Sequence, residues 1–421
     1  MKRIIVQKFG GTSVADTEKI KNVAKTVIKE KNNGNDVVVV VSAMGHTTDY
    51  LVNMAKDISK VPSGREMDML LSTGEGVSIA LLAMAIQSEG YDAISFNAMQ
   101  IGILTENVHT KARIVKIETE KIKKNLNEGK VVVVAGFQGV TEGGEITTLG
   151  RGGSDTSAVA LAAALNAERC DIYTDVEGVY TTDPRVVPNA SRLNKVSYEE
   201  MLELAHAGAN VLHPRSVETA KLNNVPLRVR SSFKTDNLGT LILGVDNMEI
   251  DRPVTGVAAD TSQTRIVICE VPDRPGIAAT IFTKLAKQNI SVDMIIQSYA
   301  RKISHTNDIA FTVDSADADK TVETLNSLKD ELQCGEIQVD NNIAKVSIVG
   351  AGMIDRPGIA SAMFDTLARL GVNIKMISTS EIKISCLVDG EDAQKAVKAL
   401  HDAFDLASAE VADVKGTLPP V

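Results

Sequence analysis

Three stretches of the chain combine glycine, hydroxyl and charged residues in patterns suited to phosphate and carboxylate chemistry. In Lys8-Phe9-Gly10-Gly11-Thr12-Ser13-Val14 a lysine closes a strand-like run, and two glycines then leave backbone N–H groups bare ahead of a helix. This puts a positive point charge and anion-binding amides at the carboxyl end of a sheet. The common nucleotide loop does not explain it, because GxxxxGK followed by Ser or Thr occurs nowhere. The second stretch, Thr148-Leu149-Gly150-Arg151-Gly152-Gly153-Ser154-Asp155-Thr156-Ser157, opens a helix of small residues. A helix N-terminus, close-approach glycines and a guanidinium that can fork onto a carboxylate together suit an anion. The plainer reading makes Ser154, Asp155 or Ser157 a helix cap and the glycines a loop. The third runs from Tyr173 through Thr174, Asp175 and Tyr180 to Arg185; alone, its Asp183-Pro184 pair signals only a turn.

These stretches need elements to hold them. Ile4 to Phe9, Val37 to Val41, Val131 to Ala135 and Asp171 to Thr174 read as strands, alternating with helical patterns at Lys19 to Lys31, Ser78 to Glu89, Lys111 to Glu128 and Ser157 to Ala167. The unbroken valines at 37 to 41 have no polar alternate face, which fits a mostly parallel sheet covered on both sides. The fold class expected is α/β.

Length and charge limit the partners. A chain of 421 residues suggests two or three domains at roughly 150 residues each. Forty-five Lys and Arg against 54 Asp and Glu leave a net charge of -9, so nucleic acid and anionic membrane would be repelled. No apolar run approaches the ~18 residues of a membrane span, and Met1-Lys2-Arg3 leads directly into a strand pattern, so a cytoplasmic location is expected. Cys170, Cys269, Cys334 and Cys386 are scattered, which predicts buried reduced thiols rather than zinc or disulfides. No separate metal cage is visible.

A boundary is expected after Leu243, where Gly244 to Pro253 is turn-rich and charged. Beyond it the chain repeats: Asp273-Arg274-Pro275-Gly276-Ile277-Ala278 returns as Asp355-Arg356-Pro357-Gly358-Ile359-Ala360, and the match continues at constant offset to Met294-Ile295 and Met376-Ile377. Pro is expected in the first helical turn, and Gly where backbone approaches a neighbour or ligand. Each copy resembles an ACT domain, a βαββαβ ferredoxin-like module that pairs side by side and binds amino acids at the interface. The three glycine-containing stretches, in this order, resemble the amino acid kinase family. Ser42-Ala43-Met44-Gly45, Ser72-Thr73-Gly74-Glu75 and Leu212-His213-Pro214-Arg215 narrow the resemblance to its aspartate kinases, and it covers essentially the whole chain.

The resemblance implies a three-layer αβα kinase domain over 1–245, a linker with a possible strand over 246–263, and ACT units over 264–340 and 341–421. It implies phosphorylation of the aspartate side chain by ATP with Mg²⁺. Lys8 would hold the transferring phosphoryl group and Asp155 would orient the lysine. Phe9, Gly10, Gly11 and Thr12 would border the phosphates, and Thr174, Asp175, Tyr180 and Arg185 would line the nucleotide. Aspartate would meet Arg151 at its α-carboxylate, Glu75 at its ammonium, and Ser42, Thr48, Gly152, Gly153 and Ser154 around them. Lysine or threonine would bind through Asp273, Gly276, Ile277, Gln297, Asn373, Ile374, Ser380 and Glu381, and ACT pairing implies a homodimer or larger assembly. Some relatives carry a lysine directly after the paired serines, whereas Ser231-Ser232 is followed here by Phe233 and then Lys234. His213 before Pro214 reads as a structural donor, and Met294 and Met376 as core. Met248 could start a separate regulatory subunit, and strand 254–262 could join either ACT copy. The alternatives are another amino acid kinase or a catalytically inactive sensor.

Overall fold

The computed structural model describes residues 2–209, 211–244, 252–298, 305–354 and 356–408. Met248, Asp355 and most of the turn-rich stretch after Gly244 lie outside them. The N-terminal unit is built on an eight-stranded sheet in the order Lys195–Ser197, Thr240–Leu243, Leu227–Ser231, Arg169–Thr174, Ile4–Phe9, Asp36–Val41, Val131–Ala135 and Ala93–Phe96. Every neighbouring pair is parallel except Leu227–Ser231 with Thr240–Leu243. Strand residues alternate between faces. Val37, Val39 and Val41 therefore join a cluster with Ile20, Val27, Leu82 and Ile86 of the helices Thr17–Asn32 and Thr73–Ser88. Val38 and Val40 face the opposite cluster, with Ala158 and Leu161 of the helix Gly153–Leu165 and Val217 of Pro214–Leu222. Two apolar faces between helical layers explain the unbroken valine run.

The span 111–128 departs from the helix its length suggested. Ile114–Ile117 is a strand pairing with Ile103–Thr105, and only Glu120–Asn127 is helical. The β-branched side chains of Ile114, Val115 and Ile117 favour a strand over a helix. Helical residues also run with little break from Gly64 to Ser88, a 25-residue stretch long and apolar enough by composition to cross a membrane. Arg65, Glu66, Asp68 and Glu75 interrupt it, so it is not the unbroken apolar run whose absence the sequence showed. Leu71, Ile79, Leu82 and Ile86 of this stretch lie in the interior.

The repeat forms two four-stranded sheets, Val292–Gln297, Thr306–Asp314, Gln263–Pro272, Ile337–Asp340 and Gly256–Asp260, Ile343–Val349, Lys383–Asp389, Met376–Ser380. Gly256–Asp260 pairs antiparallel with Ile343–Val349, so this segment belongs to the second unit and the first is inserted behind it. Gly276 and Gly358 sit at φ 96° and 100° as N-caps, placing Pro275 and Pro357 ahead of the helices Ile277–Lys287 and Ile359–Arg369 rather than within their first turns. The two sheets meet within one chain through Met294, Ile343, Met376 and Leu387. Met294 and Met376 thus fill the joint between units. Cys170 and Cys386 are buried free thiols, whereas Cys269 and Cys334 are half-buried.

The N-terminal unit docks on the sheet of the second repeat through its helix Tyr198–His206. Glu200, buried, accepts from Thr255 Oγ1 at 2.5 Å and Ala351 N at 2.9 Å, and Lys383 pairs with Glu203 at 2.6 Å. Lys345 reaches His206 O at 3.2 Å and Asp293 at 2.5 Å, tying three units at one ammonium.

Candidate active site

The chain leaves the first strand at Gly10 and folds into a short 3-10 turn over Gly11–Val14. A Cβ on Gly11 would stand 2.9 Å from both Ala43 O and Gly45 O, so only glycine lets this turn lie on the Ser42–Gly45 turn. Gly45 N donates to Gly11 O at 3.0 Å, joining the two. Lys8 Nζ sits 2.6 Å from Asp155 Oδ1, with the two side chains only 12% and 13% exposed. A near-buried pair at the carboxyl ends of parallel strands is where α/β sheets bind ligands.

Asp155 lies in the first turn of Gly153–Leu165, whose N-cap is Gly152 at φ 68° with no side-chain cap. Ser154, Asp155 and Ser157 are therefore not caps. Ser157 Oγ donates to Gly153 O at 2.9 Å and accepts from Phe137 N at 3.1 Å. Gly153 N donates to Gly150 O at 3.0 Å, and the Ser154 and Asp155 amides that follow it have no partner within the helix, leaving its positive end for a ligand. A Cβ on Gly152 would lie 2.2 Å from His213 Cγ, and one on Gly150 2.9 Å from Thr110 O. These contacts make the loop close-packed rather than loose. Arg151 is exposed, one turn ahead of Asp155, with no ion pair or hydrogen bond to the described residues. Its fork is free to take a carboxylate.

Glu75 opens the helix Thr73–Ser88 and is 2% exposed. Its carboxylate accepts from Ala43 N at 3.3 Å and Gln138 Nε2 at 3.2 Å, and burial pushes its pKa up to about 7. Gly74 makes this approach possible, since its Cβ would lie 2.8 Å from Ala43 Cβ. Glu75, Ser42 and the lysine turn are thus brought together around the Ser42–Gly45 turn. Thr48 follows on the partly exposed helix Thr47–Ile58. Ser154 packs against Gly136, and the adjoining Phe137 holds an unusual φ of 69°.

Of two supporting residues, Asp68 escaped the sequence reading and Arg215 was named there only within its motif, without a role. Asp68, fully buried, accepts from Thr148 Oγ1 at 2.6 Å, Thr110 N at 3.0 Å and His109 Nδ1 at 2.8 Å. It ties the helix Gly64–Leu71, just before Glu75, to the strand just before the Arg151 loop. Arg215 clamps the other side, donating to Leu149 O at 2.9 Å and Ala112 O at 2.7 Å. The only sequence signal for Asp68 was an acid among apolar helix residues. His213 Nδ1 accepts from Arg215 N at 3.3 Å and caps the helix Pro214–Leu222, so it serves as an acceptor, not a donor. Burial lowers its pKa.

The third stretch borders the same end of the sheet. Ser232 N donates to Thr174 O at 2.8 Å and Ser232 Oγ meets Ser13 Oγ at 2.6 Å, linking the paired serines to the lysine turn. Thr174 Oγ1 bonds Asp175 at 3.0 Å. Tyr180, half-buried, bridges to Arg192 through the backbone, and burial with nearby Glu177 raises its pKa. Arg185 is 89% exposed and held by Asp183 at 2.7 Å. Lys234 is engaged by Glu177 at 2.5 Å, so its charge sits on the rim of this segment, while Phe233 is exposed.

The expected effector residues divide between the sheets. Asp273, Gly276, Ile277 and Gln297 lie on the first unit; Asn373, Ile374, Ser380 and Glu381 lie on the second. Asp273 accepts from Asn307 Nδ2 at 3.3 Å, and among the described residues no hydrogen bond or ion pair joins the two sets. From the second unit, buried His401 Nε2 lies 3.0 Å from Thr181 Oγ1 in the third stretch.

The amino acid kinase family profile matches residues 3–231, and two ACT domain profiles match 265–333 and 346–404. An aspartokinase from Bacillus sp. (strain MGA3) is 56% identical, over 97% of this chain and 98% of its own. The crystal structure of E. coli aspartokinase III in complex with aspartate and ADP superposes with a TM-score of 0.81 at 30% identity, over 96% of this chain and all of the other. The same enzyme with lysine and aspartate superposes at 0.74, also at 30% identity, over 95% and 99% of the chains. The chain belongs to the aspartokinases, kinases of the amino acid kinase family that carry two ACT domains behind the catalytic unit.

Proposed function

We propose that the chain transfers the γ-phosphoryl group of ATP to the side-chain carboxylate of L-aspartate, forming 4-phospho-L-aspartate as the first step toward lysine, threonine and methionine. The observation that carries this reading is the Lys8–Asp155 pair, set at 2.6 Å where the lysine turn meets the Arg151 loop. Phosphoryl transfer calls for alignment and charge neutralisation rather than a covalent intermediate. Lys8 would follow the charge on the moving group, held on course by Asp155. Bare amides at Gly10, Gly11 and the helix opening just after Gly153 would face the phosphates. Arg151 would fork onto the α-carboxylate and Glu75 would meet the ammonium, with Ser42, Thr48, Gly152 and Ser154 completing the pocket. The nucleophilic carboxylate is ionised near neutral pH and needs no base. Thr12, Thr174, Asp175 and Tyr180 would line the nucleotide, with Arg185 turning from Asp183 to reach it, whereas the Phe9 ring is stacked on Tyr173 in the interior, 1% exposed, and does not line the site as its place in the motif suggested.

Among the described residues no group of three or more His, Cys, Asp or Glu side chains is placed to hold a metal. Mg²⁺ would therefore enter with ATP, held mainly by phosphate oxygens and water, and neutralise charge on the phosphates. Lysine or threonine at the ACT units would inhibit to the extent that they bind a less active arrangement better. The lysine-bound relative supports this reading for lysine. ACT pairing between chains would give a homodimer or larger.

A hydroxamate assay with ATP and Mg²⁺ tests the assignment. Product is expected with aspartate, and Lys8→Met should lower kcat by roughly a hundredfold or more. Product with glutamate or acetylglutamate but none with aspartate would refute it.

A further inference from the structure

One face of the kinase sheet carries charge where a covered sheet should be apolar. In the strands Arg169–Thr174 and Leu227–Ser231, Cys170, Ile172, Leu227 and Val229 face one core cluster. The alternate positions are Arg169, Asp171, Tyr173, Arg228 and Arg230, with Arg228 opposite Asp171 and Arg230 opposite Tyr173 in register. Strands inside a parallel sheet are ordinarily apolar on both faces. Here a cavity of about 390 Å³ opens over the charged face, closed by Thr26, Lys29 and Glu30 of the first helix and Thr235, Asp236 and Leu238 of the following loop.

The charges within it are unevenly matched. Asp171 and Glu30 are taken by Arg169 at 3.0 and 3.2 Å, and Asp236 by Lys29 at 3.0 Å. Arg230 donates to Thr235 O at 2.8 Å and Tyr173 Oη at 3.1 Å. Arg228 has no hydrogen bond or ion pair with any described residue, although it is mostly withdrawn from solvent and burial lowers its pKa. A withdrawn guanidinium without a partner is costly, and its planar fork matches an oxyanion. Arg228 also lies three residues before Ser231, about 10 Å along the strand from the proposed nucleotide site.

We propose that this cavity is a second binding site, for a small phosphate-type dianion forked by Arg228 and flanked by Lys29 and Arg230. Occupancy would compensate the two guanidinium groups of this face, Arg228 and Arg230, that no carboxylate among the described residues pairs with, and link the first helix to the strands beneath it.

The test uses the full-length protein with ADP and aspartate present, and inorganic phosphate as the probe, with succinate as the carboxylate arm. Phosphate at about 10 mM should raise the melting temperature of the unaltered protein and protect 169–173 and 227–231 from hydrogen exchange. Arg228→Met should weaken phosphate binding by roughly tenfold or more while leaving the KM values for ATP and aspartate within about twofold. Arg228→Lys keeps the charge without the fork; it should bind at intermediate strength, and it carries the comparison if the methionine variant does not fold. A phosphate response unchanged in both variants, no response in the unaltered protein, or succinate binding with phosphate inert overturns the proposal. A rise in KM for ATP that tracks the loss of phosphate binding would assign the cavity to the nucleotide and overturn it equally.

Discussion

Replacing Glu75 by Gln should make the protein more stable at alkaline pH while impairing its use of aspartate. The buried carboxyl has its pKa raised from 4.5 to about 7, chiefly by desolvation. Its stabilising contribution is thus fully present below the unfolded-state value and is lost as pH rises through about 7. A shift of that size corresponds to about 3 kcal/mol at full ionisation. Gln is neutral at every pH, keeps an acceptor for Ala43 N and fills the same space; it loses the acceptor for Gln138 Nε2, a cost that does not vary with pH and leaves the difference in slope intact. At pH 8.5 the Glu75→Gln protein should exceed the unaltered one by up to about 3 kcal/mol, with the gap closing toward pH 5. Urea midpoints of both proteins across that range measure this, in the absence of aspartate. Identical pH slopes would refute the reasoning. An ammonium beside Glu75 favours the ionised form, so the KM for aspartate in the unaltered protein should rise as pH falls below about 7. The Glu75→Gln variant should have a high, nearly pH-independent KM. Stability and function would pull in opposite directions at one atom pair.

Three further outcomes follow from the same geometry. Asp68→Ala should raise the KM for aspartate roughly tenfold with a smaller change in KM for ATP, because Thr148 and Thr110 lose their shared acceptor beside the Arg151 loop; equal changes in both constants would mean general damage. Gly152→Ala should lower stability by about 2 kcal/mol or more, since the new methyl meets His213 and φ is 68°, and pairing it with His213→Ala should recover the steric part in thermal melts. Glu200→Ala, which strips Ala351 N and Thr255 of their acceptor at the docking helix, should change the lysine concentration for half-inhibition several-fold while sparing kcat without effector; an unchanged inhibition curve would show that this contact carries no coupling.

Much of the fold was legible from local order. Unbroken valines at 37 to 41 demanded two covered faces, and the repeated Asp-Arg-Pro-Gly turn announced a duplicated unit, because both signals lie in residues close along the chain. The types and order of Lys8, Arg151 and Asp155 were likewise enough to suggest anion chemistry, since few other tasks require bare glycine amides beside a lysine. Tertiary structure decided what depends on distant residues. Asp68, with partners about 40 and 80 positions away, has no local signature; nor does Arg228, whose significance is a missing partner. Whether strand 256–260 served the first or second ACT unit turned on which sheet edge lay open beside it, and Ile343–Val349 offered that edge. Sequence specifies which backbone and side-chain groups seek partners; only the closed fold, in which each group excludes or satisfies another, settles which ones find them.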